Sequence, residues 1–374
     1  MRRTFQYRAI INKETESNCL HWLTLCRILY NLALEQKISI YRQYEKSISC
    51  IDQKNQLPEL KAGFPEFKTV GSQVLQDVIE RLQKAFDAFF RRIKSKAEKA
   101  GFPRFKGKDR YDSFTLKQAG WKLEGRYMYI TGLGRFKLFL SRPIEGDIKT
   151  VTVRRSSSGK WFVYFSCDNV PVKEIPEAIA EVGIDVGIKE FLVDSTGRSV
   201  PNPKFFRHSE KILRRRQRAL ARKVRGSQRR GKARILVAKA HEKISNQRKD
   251  FLHKVANFYI GAYQTIYVEA LNIKGMVKNR HLSKSIADAS WGIFFRLLTE
   301  KAEGAARQVI KVNPRNTSQL CSQCGEKVPK KLSVRVHACP FCGLVLSRDH
   351  NAAINIKAVG QTVQALIPAM AGIV

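Results

Sequence analysis

Acidic residues are scarce in this chain. Only 32 Asp and Glu stand against 69 Lys and Arg over 374 residues, a formal charge of +37. Such a surplus repels itself unless a polyanion is present, so nucleic acid is the expected partner. An anionic membrane is the competing polyanion, but no amphipathic anchor or lipidation signal supports it. Long hydrophobic runs are also missing. The apolar stretch 358–374 is short and contains Pro368, so it is not read as a membrane span. The start, Met1-Arg2-Arg3-Thr4-Phe5, opens a strand-like alternation rather than a secretory signal. Eight cysteines are few for a disulfide scaffold. Cys19, Cys26, Cys50 and Cys167 stand singly among apolar residues and read as buried thiols, which fits a reducing cytoplasm. A nucleophilic Tyr and a His-hydrophobe-His motif are absent too, which disfavours a strand-joining transposase. The hydrophobic share of 43% is ordinary, and the length allows more than one core.

The other four cysteines form a pattern. Cys321-Ser322-Gln323-Cys324 is followed fourteen residues later by Cys339-Pro340-Phe341-Cys342. Each Cys-x-x-Cys knuckle offers two thiolates on one tight turn, so the pair suits one tetrahedral, structural Zn²⁺. Gly325 and Gly343 follow the knuckles and permit the positive φ that brings backbone amides toward sulfur. With four thiolates the tetrahedron is complete, so His337 reads as a surface residue rather than a ligand.

Hydrophobic periodicity divides the rest. Phe5, Tyr7, Ala9 and Ile11 alternate as one strand. Helical spacing runs over 16–44, and again after Gly71 with Ser72 as N-cap. The core face of this second helix would be Val74, Leu75, Val78, Leu82, Ala85, Phe86, Phe89 and Phe90. Residues 113–169 change to strand period, with a hairpin at Ser156 to Gly159, and suggest a small β-barrel or sandwich holding the helices as an insertion. A buried strand starts at Val182, a very basic helical region covers 204–262 with Gly226 and Gly231 dividing it, and further strands lie at 265–269 and 309–313. A helix over 290–307 separates these strands, and Asp349 opens a closing helix.

Three acids interrupt these apolar elements. Asp185 and Glu269 end strands and Asp349 begins a helix, separated by 84 and 80 residues. An acid in an apolar strand is costly unless paired or bound to metal. Three of them suit two Mg²⁺ ions, which would activate a water and stabilise a leaving 3′-oxygen in phosphodiester hydrolysis. Taken singly, each could be a turn residue or a cap. The joint pattern favours a nuclease.

Several segments resemble the TnpB family, transposon-encoded RNA-guided nucleases of the IS200/IS605 and IS607 groups related to Cas12. They are GIDVGI (183–188), VEALNIKGM (268–276), NPRNTSQLCSQCG (313–325) and RDHNAAINI (348–356), joined by RILYNLAL (27–34) and GFPRFK (101–106). The resemblance implies an α+β multidomain chain. Its RNase H-like RuvC nuclease domain would carry a zinc-ribbon insertion, and an N-terminal β-barrel (wedge) would hold an inserted helical recognition domain. The wedge strand would span 1–12, the recognition helices 13–112 and the barrel 113–181. The nuclease domain would span 182–316, the ribbon 317–346, and the closing helix and tail 347–374. The resemblance makes Asp185, Glu269 and Asp349 the Mg²⁺-binding catalytic acids, and Cys321, Cys324, Cys339 and Cys342 the zinc ligands. It implies a guide RNA, a double-stranded DNA target with a short flanking motif and a cytoplasmic, nucleoid-associated location; the oligomeric state is left open, with a monomer favoured. A miniature Cas12-type effector shares this chemistry; a catalytically silent RNA-guided binder would be expected to lack one of the acids. Ser347 departs from the family where an acid is expected before Arg348, and the tail is unusually apolar.

Other residues carry two readings. The 204–262 helices, with Arg214 and Arg215, could be a solvated face, but their shortage of acids favours phosphate contact. Ser72, Gln73 and Gln76 lie opposite the apolar face and could read base edges of a flanking motif, with Phe86, Phe89 and Phe90 as core. Arg348 could meet the scissile phosphate or form an ion pair.

Overall fold

The computed structural model of the chain describes every residue except 97–99, 109, 173–175, 177, 178, 332 and 372–374, with side chains described up to residue 365. It divides into two compact units, Met1–Pro171 and Val172–Val374. Among the described residues no helix is long and apolar enough to cross a membrane.

In the first unit, strand β1 (Arg3–Ile10) is followed by helix α1 (Lys13–Tyr44), short helices α2 (Cys50–Asn55) and α3 (Leu57–Gly63), and helix α4 (Ser72–Lys94). Asn12 starts α1 by accepting the Thr15 N–H, and Glu14 and Glu16 complement the helix dipole. Six strands come next: β2 (Ser113–Leu116), β3 (Trp121–Glu124), β4 (Tyr127–Ile130), β5 (Gly134–Phe139), β6 (Asp147–Arg155) and β7 (Trp161–Asp168). All seven strands pair antiparallel in the order β2-β6-β7-β1-β5-β4-β3, so the first strand sits in the middle of the sheet. The alternation Phe5-Tyr7-Ala9 points into the same core as Trp22, Leu75 and Leu82 of the helices. Arg81 fastens α4 to β2 through Ser113 O and Thr115 Oγ1, with Asp77 2.6 Å from its Nε.

Three expectations need correction here. Ser72 is the first helical residue, not the cap; Gly71 precedes it and gives no side-chain cap. Phe90 is 59% exposed and Phe89 only half-buried, near the end of α4, where the Phe86, Phe89, Phe90 and Phe102 rings pack on one another. With Phe102, Tyr41 and Lys37 these rings line an open cavity of 510 Å³. Cys50 is partly exposed at the start of α2, whereas Cys19, Cys26 and Cys167 are buried as thiols.

The second unit begins with β8 (Glu181–Val186), β9 (Glu190–Asp194) and β10 (Ser199–Pro201). The basic helices α5 (Phe205–Ala221) and α6 (Gln228–Ala262) follow, then β11 (Thr265–Glu269), α7 (Ile273–Met276), α8 (Ser283–Ala289), α9 (Trp291–Glu303) and β12 (Gln308–Val312). A hairpin of β13 (Val336–Ala338) and β14 (Val345–Ser347) leads into α10 (Arg348–Ala371). The main sheet has the order β10-β9-β8-β11-β12, antiparallel through β8 and parallel from β8 to β12. Helices cover both faces. Ile266 and Val268 of β11 pack on α6 and α9, while Tyr267 packs with Val312 and Ile356 on the α10 side.

Gly226, at φ +85°, lies in the break between α5 and α6, but Gly231 sits inside α6 and divides nothing. Arg216 closes this helical pair by donating to Leu236 O at 3.0 Å. The helix expected over 290–307 is α9, ending at Glu303, and Ser290 is the left-handed residue before it. The closing helix runs on to Ala371; the apolar tail noted in the sequence lies largely outside the described side chains.

Candidate active site and zinc ribbon

Strand alternation places the first two acids. On β8, Gly183 and Asp185 share a face, and on β11 Tyr267 and Glu269 share one. Both faces meet α10. A Cβ at Gly183 would stand 2.2 Å from Ala353 O and 2.7 Å from Lys357 N, and one at Gly360 would stand 2.0 Å from the Tyr267 ring. The two glycines therefore let α10 lie directly on β8 and β11. Asp349 is one helical turn before Ala353, on the same side of α10. The parallel pairing of Val268 with Ile184 sets Glu269 and Asp185 next to each other at the carboxyl ends of their strands. Ligands of open α/β sheets bind at such ends.

The electrostatics agree with this convergence. Burial, the largest influence, pushes the Asp185 carboxyl well above the usual carboxylate range; the charges of Glu269 and Asp349 add to it, and Arg348 opposes it. Glu269 is also raised by burial, against a hydrogen bond from Thr317. Three partly buried carboxylates that repel one another are a hard oxygen donor set suited to a divalent cation. They form a looser group than the cysteines. Among the described residues, only Cys321, Cys324, Cys339 and Cys342 bring three or more ligand atoms all within 4.8 Å of one another.

Two contacts hold the acids. Thr317 Oγ1 donates to Glu269 Oε1 at 2.6 Å. Arg348 pairs with Asp349 at 3.1 Å and also donates to Val334 O, so the structure shows its ion-pair reading. Ser347, where an acid was expected, accepts the His350 N–H at 3.1 Å and so caps α10.

In the ribbon, Cys321–Cys342 and Cys324–Cys339 have Sγ···Sγ distances of 3.6 Å. A tetrahedron with Zn–S bonds of about 2.3 Å has edges of roughly 3.8 Å, whereas a disulfide needs about 2.05 Å. The cluster fits zinc. Gly325 and Gly343 take φ of +79° and +75°, and their amides donate to Cys321 O and Cys339 O. His337 is not on the surface: it is fully buried, because alternation in β13 turns it inward, where its ring meets Lys330 and Cys321.

The remaining residues singled out for nucleic-acid contact belong to other elements than the acids. Ser72 and Gln73 are on α4. Ser72 accepts from Lys61, and Gln73 Oε1 accepts from Lys117 N at 3.2 Å, so both already serve the fold; Gln76 is half-buried. Arg214 and Arg215 are exposed on α5, where they line a basic groove of 600 Å³, and Arg214 pairs with Glu210. Sequence reasoning missed Thr317, Asn351 and Asn355. The available signal was polar residues at i and i+4 on the face of α10 that bears Ala352 and Ile356.

Three family profiles match the chain. One described as "Probable transposase" covers 164–280, one described as "Cas12f1-like, TNB domain" covers 291–356 with all four cysteines, and one described as "Helix-turn-helix domain" covers 1–46. Over that last span the structure has β1 and the single helix α1. A Streptomyces pristinaespiralis protein named "Putative RNA-guided DNA endonuclease" is 32% identical, over 96% of this chain and 90% of that one. The chain belongs to the TnpB family. A second relative, "Putative RNA-guided DNA endonuclease InsQ" of Escherichia coli (strain K12), is 29% identical over 97% of the chain and 93% of its own length. A solved structure of "the mini-RNA-guided endonuclease CRISPR-Cas_phi3" aligns over 96% of this chain and 92% of that one, with a TM-score of 0.54 at 11% identity. That likeness is one of fold, and it makes this TnpB-family chain Cas12-like in its α+β architecture.

Proposed function

We propose that this TnpB-family chain is an RNA-guided DNA endonuclease, in which a guide RNA selects the target by base pairing and the protein hydrolyses DNA beside a short flanking motif. The observation that carries the reading is the meeting of Asp185, Glu269 and Asp349 at the carboxyl ends of two adjacent parallel strands under α10. The names of its relatives point the same way. The mixed five-stranded sheet supports an RNase H-like, RuvC-type nuclease domain over 182–316, interrupted by the ribbon at 317–346 and closed by α10.

Asp185, Glu269 and Asp349 would hold Mg²⁺, whose chemistry when bound is to polarise the scissile phosphate and help generate the nucleophile from water. The chain's own part is to gather three carboxylates that cannot comfortably ionise together without a cation. Arg348 holds Asp349 in place. The basic face of α5 and α6 supplies charge for phosphates. Zinc in the ribbon has no open position for water and so is structural.

The test is cleavage of a guide-matched plasmid by protein purified with its RNA, with and without Mg²⁺. Asp185→Ala, Glu269→Ala and Asp349→Ala should each lower cleavage by at least about a hundredfold while leaving RNA binding intact. Full cleavage by Asp185→Ala would refute the assignment.

A further inference from the structure

Buried polar side chains outside the acidic trio gather along α10. Asn351 is fully buried, and Asn355 and Thr317 nearly so. Asn351 Oδ1 accepts the Ser322 N–H at 2.9 Å, and its Nδ2 donates to Leu320 O at 2.7 Å. One turn on, Asn355 Nδ2 donates to Thr317 O and Leu320 O, both at 2.8 Å. The two amides thus bind the backbone of 317–322, which carries the first zinc-ligand position, Cys321, to the helix that carries Asp349. At the near end of the same segment stands the Thr317 hydroxyl. It has one proton and two acceptors within reach, Glu269 Oε1 at 2.6 Å and Pro314 O at 3.1 Å, and the shorter contact is to the carboxylate.

We infer that Thr317 is a positioning residue for Glu269, and that the first knuckle of the zinc ribbon, clamped to α10 by Asn351 and Asn355, sets where its hydroxyl stands. This rests on the reading of Glu269 as a cation ligand. A glutamate at a strand end has three torsions to settle. A charge-assisted hydrogen bond to one oxygen selects a rotamer before any cation arrives. The same segment touches both the Asp349 helix and the Glu269 side chain, so the ribbon aligns two of the three acids at once. The Ala352 and Ala353 side chains leave α10 close to the sheet, and the asparagines beside them supply the only side-chain hydrogen bonds that the described residues show between α10 and 317–322.

The experiment uses the full ribonucleoprotein and three variants, Thr317→Val, Thr317→Ser and Glu269→Gln. Mn²⁺ binding is read by electron paramagnetic resonance, alongside the half-saturating Mn²⁺ for cleavage, zinc content and Tm. Thr317→Val keeps the shape and loses the donor. It should weaken Mn²⁺ binding by roughly 10–100-fold and raise the half-saturating concentration in parallel, with zinc content unchanged. Thr317→Ser should return both to within a few-fold of wild type. Should Thr317→Val not fold, Thr317→Ala carries the same comparison with serine. Wild-type Mn²⁺ affinity in the hydroxyl-free variant would overturn the inference, as would equal losses in the valine and serine variants. Glu269→Gln separates the two readings: if it binds Mn²⁺ and cleaves normally, the active-site reading itself is wrong.

Discussion

Asp185 shows what a single residue costs the fold. Its carboxyl is pushed above the usual range by burial and by two neighbouring acids. A folded-state pKa above the unfolded one means that the folded chain holds the proton to higher pH. Below the ordinary carboxylate pKa both states are protonated and nothing is lost. As pH rises past it, the unfolded state ionises first, and stability falls until the raised folded pKa is passed. Zinc-loaded protein without added Mg²⁺ should therefore be more stable as Asp185→Asn than as wild type at neutral pH, with Tm higher by about 2–4 °C per kcal/mol recovered. The gap should close as pH falls toward the ordinary carboxylate range. Thermal unfolding between pH 4 and 8 checks this, and a lower Tm for Asp185→Asn at pH 7 would refute it. The acids and cysteines were legible in the sequence because their signal is residue type at a fixed spacing or inside an apolar run. Thr317 was not, since its partner lies 48 residues away and only the parallel sheet brings the two together. His337 was misjudged because a three-residue strand gives too little alternation to show which way its middle residue points.

At the scale of elements, period was informative and punctuation was not. The helical and strand repeats gave α1, α4, β1, β8 and β11 nearly as observed, because packing one face against a core is what creates those repeats. Gly226 and Gly231 were both read as breaks, yet glycine serves three different ends here. Gly226 adopts a left-handed turn, Gly231 is a plain helical residue, and Gly183 and Gly360 admit α10 to the sheet. These roles predict opposite effects of the same change. Gly231→Ala meets nothing within 4 Å in the first turn of α6 and should stabilise by about 0.5–1 kcal/mol. Gly183→Ala would press on the backbone of α10 and should destabilise by about 1–3 kcal/mol or more, while moving Asp349 relative to Asp185. Denaturant unfolding of both variants, with Mn²⁺ affinity for the second, tests the pair. A Gly183→Ala protein as stable as wild type, with its Mn²⁺ affinity intact, would show that α10 can shift without consequence.

For the whole molecule, charge outweighs every other compositional feature, and it is unevenly spread. Residues 204–262 hold nineteen Lys and Arg against three acids, so a surplus of sixteen out of +37 sits on α5, α6, their connection and Lys204 just before α5. Not all of this charge is equivalent. Arg216 is bonded to Leu236 O and Arg230 to Leu220 O and Lys223 O, holding the helical pair together. Arg214 shares Glu210 with Arg207 and Lys284, while Arg215 is exposed beside it. Composition announced a polyanion partner but could not sort these arginines, since sorting depends on which carbonyl or acid folding delivers to each. Binding to nucleic acid should weaken linearly on a log–log plot against salt. Neutralising six to ten phosphates would cost about a thousand- to a hundred-thousand-fold in affinity between 50 and 200 mM. If α5 lies along a phosphate backbone, Arg215→Ala should reduce that slope by about one and weaken binding evenly across target sequences. Arg214→Ala, which also releases Glu210 from a partner, should change the slope by less. Salt titrations of both variants on guide RNA and on matched DNA read this directly. Slopes unchanged in both would return the charge of α5 to solvent and leave the phosphate contacts to be sought elsewhere on the chain.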